Sequence, residues 1–160
     1  MENIGSITLL PGKTFEIYEQ EFEKNNCFFG NGKGESNLQH GSFVKKKTVV
    51  DLVVYSLSEL GFSKPATYSD IIEKAKSLGL KKCPTEIGPV ATLSLMPKLG
   101  PLSTDEKYHG IYIPTTYSFF LVGEEENRIK RFLAGASLHP AVSYYPERVF
   151  LFAKQIAEID

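Results

Sequence analysis

The chain has 160 residues, a common size for one domain and long enough to bury a core without metal or disulfide staples. It is 42% hydrophobic and 23% charged, and its net charge of −1 lacks the basic excess that nucleic-acid affinity usually rests on. Two cysteines are too few for a disulfide scaffold, and no apolar run reaches the length of a signal peptide's core or a membrane span. The expectation is a single cytoplasmic domain over 1–160.

At the N-terminus, Ile7, Leu9 and Leu10 open as a short strand that ends at the turn pair Pro11-Gly12. Thr14 is placed to cap a helix carrying Phe15, Tyr18 and Phe22 on one side, although alternation at Phe15 and Ile17 also permits a strand. Gly30, Gly32 and Gly34, set among Asn, Lys, Glu and Ser, give the segment 25–47 the character of a flexible loop. Val50, Val53, Val54, Leu57 and Leu60 fall at helical spacing and predict a helix over 48–60, stopped by Gly61; the many valines also suit a strand, but the length favours a helix.

The clearest element is a second helix. Thr67 and Asp70 begin it in the manner of a capping box, Tyr68, Ile71, Ile72, Ala75 and Leu78 form its buried stripe, and Gly79-Leu80 closes it. Beyond Pro89 the period changes: Ala91, Leu93 and Leu95 alternate with Thr92 and Ser94 as a half-buried strand. A loop over 96–106 follows, then strands over 108–114, 117–122, 128–133 and 148–153. The apolar run Phe119-Phe120-Leu121-Val122 suits a strand covered on both faces. Helices followed by strands predict an α+β fold: an antiparallel sheet of about four to six strands with two or three helices on one face.

Cys83-Pro84-Thr85-Glu86-Ile87-Gly88-Pro89 is the most distinctive segment. Pro84 suits the first residue of a short helix, with Cys83 at its cap and Glu86 reaching back to the Cys83 N–H. A thiol at a helix N-terminus tends toward thiolate, so Cys83 is a candidate nucleophile; against that, an isolated cysteine is more often a small buried residue. This motif, with Ala66-Thr67, Gly79-Leu80 and Tyr145-Pro146-Glu147-Arg148-Val149-Phe150, resembles a set of bacterial proteins sharing Cys-Pro-x-Glu-hydrophobic-Gly-Pro. The resemblance covers about half the chain and implies no activity.

His109 and His139 are the candidate bases for Cys83, with Glu86 in the same motif; folding alone decides whether they meet. None of His40, His109 and His139 shows ligand-pair spacing with another His or Cys, so neither metal nor cofactor is expected. Gly30-Asn31-Gly32-Lys33-Gly34 fails the phosphate-loop pattern because Lys33 precedes a glycine. Lys81 and Lys82 join two helices, but the second meets Gly88-Pro89 too soon for a DNA-reading helix.

The leading functional expectation is a non-enzymatic interaction or accessory protein. Tyr108, Tyr112, Tyr117, Tyr144 and Tyr145 are its candidate contacts with a protein partner, set against ordinary aromatic packing within a sheet. A small cysteine-dependent hydrolase or transferase is the alternative, and a nucleic-acid-binding module the third reading.

Overall fold

The computed structural model describes residues 1–95, 109–125 and 130–160. The chain runs β1 (Glu2–Leu9), α1 (Phe15–Lys24), β2 (Cys27–Phe29), α2 (Gly32–Gln39), β3 (Thr48–Ser56), β4 (Ala66–Thr67), α3 (Tyr68–Ser77) and α4 (Ile87–Val90). A π-helical turn (Ala91–Leu95) follows, then β5 (His109–Pro114), β6 (Phe119–Glu124), β7 (Arg131–Gly135), β8 (Ser143–Tyr144) and β9 (Val149–Glu158).

The fold is α+β, but its sheet is larger and more mixed than the sequence predicts. Seven strands lie in the order β1-β3-β9-β5-β6-β7-β2, and β4 pairs with β8 separately. The pairs β5–β9 and β2–β7 are parallel and the other neighbours antiparallel. Nor do the helices share one face. Tyr18 and Phe22 of α1, Leu38 of α2 and Ile87 of α4 pack with Val50, Ile111, Phe120, Leu133 and Leu151. Ile71 and Ala75 of α3 pack on the opposite face with Val53, Tyr112, Phe119, Phe150 and Phe152. Phe119 and Phe120 thus enter different cores, as expected of a strand covered on both sides.

Three local expectations give way to tertiary context. The segment 48–60 is a strand over its first nine residues, not a helix. β3 lies between β1 and β9 with both faces covered, so its valines need no period of two, and their apolar run mimics helical spacing. Residues 25–47 are not simply a flexible loop, since they contain β2 and α2. Asn31 caps α2, its Oδ1 accepting from Gly34 N at 2.8 Å and from Gly135 N at 2.9 Å. A Cβ on Gly34 would lie 2.6 Å from the Leu133 carbonyl oxygen, so the glycine permits close helix–strand approach rather than mobility.

The third is Ala91–Leu95, which continues the helical path as a π turn rather than a strand. Pro89 lies within the first turn of α4, where its missing N–H breaks no helical bond. Thr92 Oγ1 donates to the Gly88 carbonyl at 2.9 Å, satisfying its hydroxyl locally and concealing a helical segment behind an alternating pattern.

The clearest predicted helix is where it was expected, except that Leu78, assigned to its buried stripe, is the C-cap residue and is 50% exposed. Thr67 Oγ1 accepts from Asp70 N at 3.3 Å at the start of α3, and the Leu80 N–H returns to the Ala75 carbonyl at 3.0 Å after its end. Thr14 caps α1, accepting from Ile17 N at 3.3 Å. The predicted stretch 96–106, Tyr108 and the 128–129 start of the strand expected over 128–133 lie outside the described residues. No helix among the described residues is long and apolar enough to cross a membrane.

Candidate functional site

The Cys-Pro motif is part of a strap across the sheet. β5 and β9 pair at Tyr112 and Phe150, and Lys81 to Cys83 bridges between them farther along. The Lys81 N–H donates to the Ala153 carbonyl at 2.8 Å, the Ala153 N–H returns to Lys81 at 2.9 Å, and the Cys83 N–H donates to the Pro114 carbonyl at 2.9 Å. The chain therefore crosses from α3 on one face toward α4 on the other while satisfying its backbone.

Strap geometry gives Cys83 the properties of a core residue. Its side chain is 0% exposed, and its Sγ lies 3.9 Å from the Leu151 carbonyl oxygen. Burial pushes the thiol well above the ordinary range, the opposite of what a nucleophile needs. The expected helix cap is replaced: the Cys83 N–H is spent on Pro114, and α4 starts later, at Ile87.

Glu86 does not reach back to Cys83 either. It is 1% exposed, and both carboxylate oxygens are engaged from elsewhere in the chain. Oε1 accepts from the Tyr18 hydroxyl at 2.6 Å, and Oε2 accepts from the Val44 N–H at 2.7 Å. One buried carboxylate thereby joins α1, the segment before β3 and the start of α4, with charge-assisted hydrogen bonds offsetting desolvation.

The histidines bring no base to this motif among the described contacts. His139 is exposed in the segment after β7, where its Nδ1 accepts from the Ala141 N–H at 3.0 Å. His109 opens β5, and its side chain lies outside the described residues. His40 is exposed at the end of α2, its Nδ1 3.0 Å from the Ser36 carbonyl oxygen. Among the described residues, no group of three or more His, Cys, Asp or Glu side chains is placed to hold a metal ion. The second thiol, Cys27, has Arg131 Nη2 at 3.7 Å; burial raises its pKa and the guanidinium partly opposes the rise.

The aromatic surface is smaller than the sequence suggests. Tyr112 and Tyr144 are core residues, their rings 5.0 Å apart and each beside Phe119 and Phe150. The Tyr144 hydroxyl donates to the Ser137 carbonyl at 2.7 Å, which lets the phenol be buried. Tyr117 and Tyr145 are 76% and 55% exposed, while Tyr108 lies outside the described residues.

No family model, curated protein or solved structure matches this chain.

Accessible chemistry gathers beside the strap, not within it. A cleft of about 450 Å³ lies between α3 and the strap. Ala75 and Phe152 form its buried floor, Ile72 and Leu80 its half-buried walls, and Lys76, Lys81 and Lys82 line it. A second cleft, of about 280 Å³, is lined by Phe43, Val44, Pro84, Tyr117 and Ile156 among others. Thr116, exposed on the β5–β6 turn, lines both. Sequence reasoning places Lys81 and Lys82 in a helix connection but misses Lys76 as their companion. The available signal was Lys76 one position after Ala75 of the buried stripe, five residues before Lys81.

Proposed function

We propose that this protein is a non-enzymatic interaction or accessory protein that works through the surface on either side of its strap. The observation carrying this reading is the contrast at 81–86: Cys83 and Glu86 are enclosed and fully employed, whereas Lys81 lines an accessible apolar cleft. A catalytic thiol needs access and a stabilised thiolate, and Cys83 has surroundings that favour the neutral thiol. Binding needs an apolar floor with a few polar groups at its edge, as the lysine-lined cleft has.

Alkylation of the folded full-length chain by iodoacetamide, followed by peptide mass mapping from pH 6 to 10, tests the reading. Cys83 is expected to remain unmodified while the fold persists and to react only after denaturation. Rapid modification of Cys83 near neutral pH would overturn it in favour of the thiol enzyme.

A further inference from the structure

We infer that the cleft between α3 and the strap docks an acidic segment of a partner protein, which places an apolar side chain between the half-buried Ile72 and Leu80 and carboxylates near Lys76, Lys81 and Lys82. This inference rests on the interaction reading above and specifies the chemistry of the partner.

Charge complementarity is the first argument. No Asp or Glu lines the cleft, and none of its three lysines belongs to an ion pair among the described residues. Lys82 Nζ lies 5.9 Å from the Tyr68 ring centroid, which positions that ammonium at the α3 side. A cation cluster over an apolar floor selects against a basic or purely apolar ligand and favours one with an apolar anchor and flanking negative charge.

Extent is the second. Because Thr116 lines both clefts, the surface continues past the β5–β6 turn toward Phe43, Val44 and the exposed Tyr117, where Glu158 also lines the second cleft, so the ligand's carboxylates belong at the lysine end. A chain-like ligand uses such adjoining clefts better than a compact small molecule does. Nucleic acid is disfavoured on charge: the chain's net charge of −1 lacks the basic excess on which phosphate-backbone affinity rests.

The test is an NMR titration of the 15N-labelled full chain. The probe is a capped peptide with a leucine–phenylalanine pair between two glutamate triplets; its glutamine counterpart and decanoate are run in parallel. The glutamate peptide is expected to give saturable shifts at the amides of Ile72, Lys76, Lys81, Lys82 and Phe152. Binding should weaken about tenfold for the glutamine counterpart and for K76E/K81E, and it should fall with added salt. The variant's unchanged shifts far from the cleft report that it is folded.

No saturation at millimolar glutamate peptide, equal binding by the glutamine counterpart, or shifts located elsewhere would each overturn the assignment. Decanoate saturating the cleft where the peptide does not would also overturn it, and would point to a small amphipathic anion. A silent titration beside an unreactive Cys83 removes only this docking assignment; a reactive Cys83 removes the underlying reading.

Discussion

Glu86 shows how one residue serves the architecture rather than chemistry. Its carboxylate receives Tyr18 from α1 and Val44 from the segment before β3, residues 68 and 42 positions away. Glu86→Ala leaves a buried hydroxyl and a backbone N–H without their acceptor and should cost about 3 kcal/mol or more. Tyr18→Phe removes one bond and leaves the carboxylate with its second, so its cost should be about 1.5–3 kcal/mol. Urea unfolding of the two variants checks the order; an Ala variant no less stable than the Phe variant would contradict the bridging role. The Cys-Pro-x-Glu spacing made Glu86 conspicuous, but its partners were invisible in sequence because they come from distant segments.

At the scale of elements, α2 is where local reading and tertiary context diverge most clearly. Three glycines within five residues suggest mobility, yet Asn31 holds this helix start to the end of β7, with its Nδ2 donating to the Gly135 carbonyl at 3.1 Å. Asn31→Ala should destabilise the chain by about 1–2 kcal/mol through loss of the cap and the strand contact. Gly34→Ala should cost about 1–3 kcal/mol, because the added methyl group meets the Leu133 carbonyl and Ala134 backbone. Thermal or urea melts of both variants test this packing, and a stabilised Gly34→Ala would show that the glycine is a tolerated helix interruption instead. By contrast, the cap and closing turn of α3 were legible, since they lie within fourteen consecutive positions, Thr67 to Leu80, while Leu78 of the expected buried stripe falls at the C-cap and is half exposed.

Across the whole molecule, burial of phenols and thiols sets an alkaline limit. Desolvation and the Glu86 hydrogen bond raise Tyr18 far above the ordinary phenol range, and burial carries Tyr68 to about 12. Tyr144 and Cys83 move in the same direction, again through burial. The folded chain therefore holds these protons more tightly than the unfolded chain does. Their contribution to stability is complete below the unfolded values, about 8.5 for the thiol and about 10 for the phenols, and is lost as pH rises through the folded values. Urea midpoints should fall progressively between about pH 9 and pH 12, less steeply in Tyr18→Phe. A flat midpoint across this interval would contradict the assigned burial.

What the sequence by itself determined was local: the capped α3, the strands β5, β6 and β9, and the two-sided covering of Phe119-Phe120. These depend on hydrogen bonds and hydrophobic periods confined to a few residues. Tertiary structure alone decided that the valines of β3 form a strand between two others, that α3 packs opposite the remaining helices, and that Cys83 lies inside a sheet-crossing strap. It also brought Lys76 beside Lys81 and Lys82. Each of those outcomes depends on which distant segment excludes water from a side chain or pairs with its backbone, and the same short pattern permits more than one such partner.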